Sequence, residues 1–544
     1  MGGTVVAATK AGAGTQQGPG LAALPRDSGW AALLLALFAL YYGVPGVPLS
    51  LILLLLCGVV CYLRLPLAVS MVPLAMPFYM LPKHLGHEEF SLGETAIVLC
   101  AAVFVLVQGR ALLTSSGVRR RVLRRLAHPT GLDLAVALFF LAATAATLAV
   151  HGVELRHLAQ RKYRTDILEP LVYYVLAAST LRDGRAMLRA LWALAGAGLL
   201  VALLGLGQYI FRPGTLTGAT WIGDTRHAER FVSAVYGSPD NLGLLLDRAI
   251  PLAVVLGLLG LATRRAARAP WLGYLPWLAF LPMAVALLLS NSRGGMIVAA
   301  AAVVAALLLW RWEAGRLAIR RATRDRALAL GGLVVVLAVA GLVLALVRHG
   351  HSTSQRFLVW RSALAMIRDH PIFGVGPDNF LYYYFDPKTG IDRVHHLPSC
   401  LPDPRVNVNA LPKHYMNPLA AQEPCLSHPH NIVLDLWLST GILGLVAIAA
   451  VVVIAGRYAW RTLRTLQAAG PGSAGAIAQA SAQVTLARAV QIGAVMIVAA
   501  TLAHGLVDNS IFLPDLAVDF WLAIAIANNL RPSATEAARL PMAR

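Results

Sequence analysis

His430 stands where a polar stretch of the sequence gives way to an apolar run that begins at Ile432. An imidazole ordinarily titrates near pH ~6.5, so such a residue can exchange a proton close to neutrality. At a boundary between water and lipid it would act on a substrate whose reactive end lies at the membrane surface. We therefore expect His430 to be a catalytic base. The alternative is a histidine that only caps the following helix or lies in the interface.

Basic side chains that suit an anionic ligand form a second group of candidates. They fall in polar segments between apolar runs, and one lies in a Ser-Arg-Gly-Gly turn whose glycines would let the backbone approach a ligand closely. A planar guanidinium can bind a phosphate through two hydrogen bonds. The alternative is that these are solvated loop charges, or that the turn arginine only extends its head group to the membrane surface. The members are Arg161, Lys162, Arg230 and Arg293.

The elements that position these residues are those of a membrane protein. Of the 544 residues, 58% are hydrophobic and 13% are charged, whereas about a quarter of a soluble domain is charged. Apolar runs recur at about the length that crosses ~30 Å of hydrocarbon. We expect an all-α polytopic membrane protein with about 12–14 transmembrane helices. The runs lie near residues 30–44, 47–63, 67–81, 94–107, 132–150, 167–181, 188–210, 242–261, 272–289, 296–309, 328–347, 432–455, 484–507 and 516–530.

Arginine-rich loops indicate the orientation, because short basic loops remain in the cytoplasm. Alternating the apolar runs places the basic segments 110–125, 264–268, 311–326 and 457–464 on one side. The same alternation places 151–165, which contains Arg161 and Lys162, on the outer side. Basic residues on the side that the rule disfavours indicate anion binding there.

The long hydrophilic stretch from Arg348 to Pro429 is where function should concentrate. Within it, apolar residues at helical spacing predict an amphipathic helix over 355–368 that ends before Pro371. The expected apolar face contains Phe357, Trp360, Leu364 and Ile367, and should pack against the bundle or the lipid surface. Arg356 and Arg361 on this helix are further candidates for phosphate binding.

Cysteine and histidine residues in the insertion raise two other possibilities. Cys400 and Cys425 would form a disulfide in an oxidising compartment. Several histidines accompany them, but no pair has the tight spacing of a dedicated zinc site, so we predict no metal. Ionisable residues within the apolar runs are costly there and suggest either function or structural pairing. These residues are Asp247, Arg248, Asp435, His504 and Asp508.

One motif resembles that of a known family. His430 and Asn431, followed after nine residues by Gly441-x-x-Gly444, resemble the signature of bacterial O-antigen ligases, within a group that includes O-antigen polymerases and protein O-oligosaccharyltransferases. Asp240 stands where such proteins often have Asn. Three further stretches resemble the wider group, and they are 230–241, 292–295 and 356–376.

The resemblance implies an inner-membrane glycosyltransferase whose site faces the periplasm. Such enzymes move a polysaccharide from undecaprenyl pyrophosphate to the lipid A core, without a metal, ATP or other cofactor. His430 would then take the proton of the acceptor hydroxyl, and direct displacement would invert the anomeric carbon. The residues expected to bind pyrophosphate or acceptor are Arg161, Lys162, Arg230, Arg293, Arg356, Arg361 and Asn431.

The expected domain organisation follows from these assignments. The polar first 26 residues lack the apolar core of a signal peptide. We expect a cytoplasmic tail over 1–28, a transmembrane bundle with short loops over 29–347, a periplasmic catalytic insertion with short helices over 348–430, C-terminal transmembrane helices over 431–530 and a cytoplasmic tail over 531–544.

Other functions remain open at this stage. An O-antigen polymerase or a protein O-oligosaccharyltransferase would use the same lipid-linked donor with another acceptor. A flippase or solute transporter would line a path with basic residues, although no internal repeat is evident. The net charge of +20 reflects loops beside anionic lipids, so nucleic acid is not an expected partner. The oligomeric state stays undetermined.

Overall fold

The computed structural model describes residues 25–86, 88–211, 232–263, 270–314, 350–385, 406, 411, 413–416, 426–468 and 476–531. Several predictions lie outside these residues: the basic residue Arg230, the cysteine pair Cys400 and Cys425, the apolar run 328–347 and the basic segment 264–268. The remaining predicted runs all coincide with helices. The all-α multi-pass architecture is therefore confirmed.

The N-terminal half of the described chain is helical apart from one small hairpin, which the apolar pattern did not predict. The hairpin pairs β1 (Lys83–Leu85) with β2 (Glu88–Phe90) in antiparallel register, with Lys83 opposite Phe90. The elements of this half are α1 (Pro25–Gly43), α2 (Val47–Leu63), α3 (Leu65–Ala75), β1 (Lys83–Leu85), β2 (Glu88–Phe90), α4 (Leu92–Thr114), α5 (Ser116–Ala127), α6 (Gly131–Leu148), α7 (Val153–Tyr163), α8 (Glu169–Thr180) and α9 (Gly184–Phe211).

The second half supplies the long helices that surround the candidate site. The elements are α10 (Pro239–Thr263), α11 (Leu275–Ser290), α12 (Arg293–Ala314), α13 (Gly350–Asp369), α14 (Phe380–Tyr384), α15 (Ile432–Ala468), α16 (Ala476–Gly505) and α17 (Pro514–Asn529).

Eight of the described helices are long and apolar enough to cross a membrane. They are α4, α6, α9, α10, α11, α12, α15 and α16, and three shorter apolar segments are Asp27–Gly43, Val47–Leu63 and Leu65–Met80. Helix α10 lies at the centre, because 94% of its most apolar 18-residue stretch is buried inside the protein. It packs against α9, α11, α12 and α16.

Small residues allow the central helices to approach closely, as is common in membrane bundles. A Cβ added at Gly198 would lie 2.4 Å from the Ala249 methyl, and one at Gly260 would lie 2.6 Å from the Gly273 carbonyl oxygen. The glycines of the Ser-Arg-Gly-Gly turn serve the same purpose. Gly295 packs on the backbone of Gly243, where an added Cβ would approach within 3.0 Å.

Helix α13 confirms the helix predicted over 355–368 and ends before Pro371. Its buried face differs from the expected apolar stripe, of which Ile367 alone is buried. The helix instead buries Val359, Ala363 and Met366 against α14 and the rest of the insertion core. Phe357 and Leu364 are more than half exposed, in keeping with a face turned to lipid. Both faces are apolar, so periodicity alone could not choose between them.

Helix α15 is broken at Gly441, whose φ of 72° and ψ of 177° are accessible to glycine and strained for other residues. The break separates the Leu438 carbonyl from the Ile442 amide, which would be partners in a regular helix. Leu438 instead accepts hydrogen bonds from the amides of Val375 (2.8 Å) and Gly376 (3.0 Å), and Ile442 donates to the Ile372 carbonyl at 3.3 Å.

The turn that follows α13 is thus bonded into the break in α15. Trp437 Nε1 strengthens the contact by donating to the Pro371 carbonyl at 2.8 Å. Gly374 has a φ of 67°, and a Cβ there would lie 2.1 Å from the Leu438 carbonyl oxygen. The His-Pro-Ile-Phe-Gly-Val-Gly stretch and the Gly-x-x-Gly stretch therefore form one structural unit.

Replacing Gly441 by alanine should destabilise the protein by ~3 kcal/mol or more, because backbone strain and a steric clash add. The new Cβ would lie 2.0 Å from the Ile372 carbonyl oxygen. The midpoint of thermal unfolding of the detergent-solubilised protein measures the effect.

Gly456→Ala is the matched control, since it lies in the same helix and its Cβ would meet nothing within 4 Å. It should be neutral or slightly stabilising. Equal unfolding midpoints for the two variants would contradict the role assigned to the break.

Candidate active site

Two histidines share one buried carboxylate just before α15. His430 Nδ1 lies 2.9 Å from Asp508 Oδ1, and His428 Nε2 lies 3.1 Å from the same oxygen. The two imidazole rings are 4.4 Å apart and arranged edge to face. Asp508 is 4% exposed, whereas the two histidine side chains are 21% and 19% exposed. The site is therefore open on the histidine side and closed on the carboxylate side.

The backbone around each member fixes this geometry. His430 has a φ of 50°, a left-handed conformation that is uncommon for residues other than glycine. Asn431 caps α15, because its Oδ1 accepts from the amides of Val433 (3.0 Å) and Leu434 (3.2 Å). Its Nδ2 donates to the Leu506 carbonyl at 3.1 Å. Asn431 thereby joins the start of α15 to the loop that carries Asp508.

The loop that follows α16 and carries Asp508 is held by hydrogen bonds to α16 and α10. The amides of Val507 and Asp508 donate to the His504 carbonyl at 2.9 and 3.0 Å. Arg248 is completely buried and donates from Nη2 to the Ser510 carbonyl at 2.6 Å and from Nε to Thr501 Oγ1 at 3.1 Å. This buried cation therefore ties the loop to the central helix α10.

Asp247 and Asp508, two acidic residues of the apolar runs, do not pair with the basic residues closest to them in sequence. His504 Nδ1 lies 2.6 Å from Asp247 Oδ2, so His504 pairs across helices while Asp508 pairs with His428 and His430. Asp247 and His504 are 0% and 2% exposed. A buried charge without a partner is strongly destabilising, so this pair has a structural purpose.

The hydrogen bonds of Asp508 determine its charge and orient His430. Burial acts to raise its pKa, but His430 and His428 outweigh burial and hold the pKa of Asp508 well below its usual value. The Asn509 amide also donates to Oδ1 at 2.7 Å. With an ionised carboxylate as acceptor, the hydrogen-bond network assigns the proton of neutral His430 to Nδ1. Its Nε2 has no partner among the described residues and is free to accept a proton.

The predicted cations fall into two classes. Lys162 is bound to the buried Asp166 at 3.0 Å and interacts electrostatically with Asp378 and Asp435. Asp435 in turn interacts with His428, which brings Lys162 to the neighbourhood of the histidines. Arg164, in the same segment, also forms an ion pair with a buried acid, since its Nη1 lies 2.5 Å from Glu94 Oε1.

The other predicted cations are less constrained. Arg356 donates to the Val507 carbonyl, next to Asp508. Arg293 begins α12 and is half-buried, and a Cβ added at the adjacent Gly294 would lie 2.5 Å from His504 Nε2. Arg161 and Arg361 are exposed. Within the part of the chain that the structure describes, Arg161, Arg293 and Arg361 form no ion pair.

His428 and its carboxylate partner escaped the sequence reasoning. The His-Pro-His spacing was visible, but Asp508 lies 78 residues from His430 and stands closer in sequence to His504. Ligand atoms of His428, His430 and Asp508 lie within 4.8 Å of one another, close enough to hold a metal ion. The prediction of no metal relied on local spacing, which carries no information about such a cluster.

The region from α11 through the break in α15 also matches a known family. Residues 278–449 match a family model described as O-antigen ligase, over about a third of the chain. A comparison with curated proteins found no match. The family consists of glycosyl-transferring enzymes that work on lipid-linked glycans in a membrane. The matched segment contains both His428 and His430 and the turn bonded into α15, so the part of the chain that holds the candidate site is similar to the O-antigen ligase family.

Proposed function

We propose that this protein is an O-antigen ligase that transfers O-antigen polysaccharide from undecaprenyl pyrophosphate to the lipid A core oligosaccharide. The observation that carries the proposal is the 2.9 Å hydrogen bond between His430 Nδ1 and Asp508. It assigns the proton of the neutral ring to Nδ1, so that Nε2 can accept one. A positioned base of this kind suits the activation of a sugar hydroxyl. The site would face the periplasm, and the protein would reside in the bacterial inner membrane.

The chemistry follows from the orientation of His430. Its Nε2 takes the proton of the acceptor hydroxyl while the hydroxyl oxygen attacks the anomeric carbon of the donor. The bond from that carbon to the pyrophosphate oxygen breaks, and undecaprenyl pyrophosphate leaves with the bonding electrons. One direct displacement inverts the anomeric carbon. Asp508 stabilises the imidazolium that forms, as a carboxylate does in other histidine-dependent enzymes.

Cations near the site would stabilise the negative charge that grows on the leaving pyrophosphate. Arg293 and Arg161 are suited to this because they have no carboxylate partner among the described residues. Arg356 lies beside the Asp508 loop and would bind phosphate on the donor or the acceptor, as would Arg361. Lys162 would add positive potential from its place near Asp435. Arg230 and the Cys400 to Cys425 disulfide remain proposals from the sequence.

His428 would help to position His430 by binding the same carboxylate, that of Asp508. Its Nδ1 lies 2.9 Å from Ser427 Oγ, and its Nε2 holds the same Asp508 oxygen that His430 uses. A second donor fixes the position of the carboxylate and keeps it ionised. His428 is therefore a positioning residue in this mechanism, whereas His430 contacts the reacting atoms.

An O-antigen polymerase or a protein O-oligosaccharyltransferase is the second candidate, because either would use the same donor and the same base. The acceptor separates them. Loss of a ligase leaves polymerised lipid-linked glycan beside bare lipid A core, whereas loss of a polymerase leaves cores that carry a single repeat unit.

His430→Gln should lower the rate of glycan transfer by ~10²- to 10⁴-fold, the usual contribution of a general base. The assay uses purified protein, an undecaprenyl pyrophosphate-linked glycan and lipid A core. His157→Gln is the matched control, because His157 is exposed on α7 and makes no described contact. Normal transfer by the His430 variant would exclude its role as the base.

Asp508→Asn should lower the maximal rate and move the acid limb of the pH profile to lower pH. The carboxylate stabilises the charged imidazolium, so its removal favours the neutral ring and makes it a weaker base. The pKa of Asp508 is held low, so in the parent protein the carboxylate stays ionised throughout the acid limb. Transfer rates between pH 5 and 8 measure the shift. An unchanged acid limb would show that Asp508 does not act on the base.

Chelation should leave transfer unchanged if His428, His430 and Asp508 act as a hydrogen-bonded triad. A metal would instead require each ligating nitrogen to lose its proton. Incubation with EDTA followed by dialysis and assay, with Zn²⁺ and Mg²⁺ added back separately, tests this. A loss of activity that one ion restores would assign the cluster to metal binding.

A further inference from the structure

An apolar crevice of about 490 Å³ lies between α4, α6 and α8. Phe104, Phe140 and Val172 are among the side chains that line it. Phe140 is 38% exposed and the lining residue Val105 is 67% exposed, so the crevice opens toward the lipid-facing side of the bundle. Its size falls in the range of ~300–1,000 Å³ that is usual for small-molecule sites. A hydrocarbon chain is the natural occupant of such a space.

One polar atom in this lining lacks a partner. The side chain of Tyr174 lines the crevice and is 5% exposed, and its hydroxyl has no hydrogen-bond partner among the described residues. A buried phenol normally finds a partner, and leaving it unpaired is costly. The missing acceptor is therefore expected to come from a molecule in the crevice.

Arginines gather at one end of the same crevice. Arg125 lies 3.8 Å from Asp133, a lining residue whose other oxygen is occupied by the Thr130 amide and hydroxyl, each at 2.9 Å. Arg531 acts electrostatically on the Tyr174 hydroxyl. One carboxylate, that of Asp133, and two arginines, Arg125 and Arg531, act on Tyr174, so the charge around its hydroxyl is net positive.

A third arginine increases the positive charge. Arg182 follows α8 with an exposed side chain, and partial desolvation of its guanidinium together with the neighbouring Arg125 lowers its pKa. Like charges held close together favour an anion between them. This end of the bundle carries the arginine-rich helix α5. The other end of α6 lies near the active site, where Val150 packs in the core of the insertion.

We propose that the crevice binds one anionic phospholipid of the bilayer. An acyl chain lies between α4, α6 and α8, and the phosphate lies among Arg125, Arg182 and Arg531. An ester or phosphate oxygen accepts the hydrogen bond of the Tyr174 hydroxyl. The proposal is independent of the transferase chemistry at the opposite end.

Native mass spectrometry of the delipidated full-length protein in detergent tests the proposal. Titration with dioleoyl phosphatidylglycerol should show one lipid retained in preference to dioleoyl phosphatidylcholine. Arg182→Gln and Arg531→Gln should each weaken this retention about fivefold at low ionic strength, as expected for a basic residue near an anionic head group. Val172→Trp should abolish it by filling the crevice, and Tyr174→Phe should weaken it.

Arg120→Gln is the matched control, because it removes the same charge from an exposed position on α5 and should leave retention unchanged. The arginine variants change exposed side chains, so they test the site even if Val172→Trp fails to fold. Equal retention of the two lipids by the parent protein would overturn the proposal. So would equal losses for Arg120→Gln and the two rim variants, which would indicate general attraction to anionic lipid.

Discussion

A break in an apolar helix is tolerated where other protein groups satisfy the backbone atoms that it releases. In α15 the turn after α13 meets this constraint, because its amides and one carbonyl replace the helical partners lost at Gly441. The same bonds hold the insertion that contains α13 and α14 against the membrane bundle. His430 lies about three helical turns before Gly441 in the chain. Its position therefore depends on backbone hydrogen bonds and not on loop contacts alone.

The carboxylate partner depends on a second set of buried polar contacts. Arg248 lies in the central helix and reaches the loop after α16, where the Ser510 carbonyl accepts its Nη2 proton. Asn431 reaches the same loop from the start of α15. The site thus forms where three segments distant in sequence meet, and each is held by hydrogen bonds that lie outside the histidine cluster. A rigid surrounding of this kind is what a catalytic base requires.

Sequence reasoning succeeded where the physical signal is local. Apolar runs of membrane length identified the helices, and the pattern around Trp360 and the following proline identified α13 and its end. Sequence reasoning failed where the hydrogen-bond partner of a site residue lies far away in the sequence. Asp508 lies four residues after His504, but His504 pairs with Asp247 and Asp508 pairs with the two histidines before α15. The break at Gly441 was also invisible, since a glycine in an apolar run signals neither a strained φ nor the turn bonded to it.

Buried carboxylates also determine which cations of segment 151–165 could bind an anionic ligand. Lys162 compensates Asp166, whose side chain is 1% exposed. If Lys162 moved to a pyrophosphate, Asp166 would be left as a buried, unpaired charge, at a cost of ~3–5 kcal/mol. Arg164 is tied to Glu94 in the same way. Arg161 has no such partner in the described structure and can change its contact without that penalty. The excess of basic residues in segment 151–165 therefore has two physical origins, since some offset buried acids and others stay available for an anionic ligand.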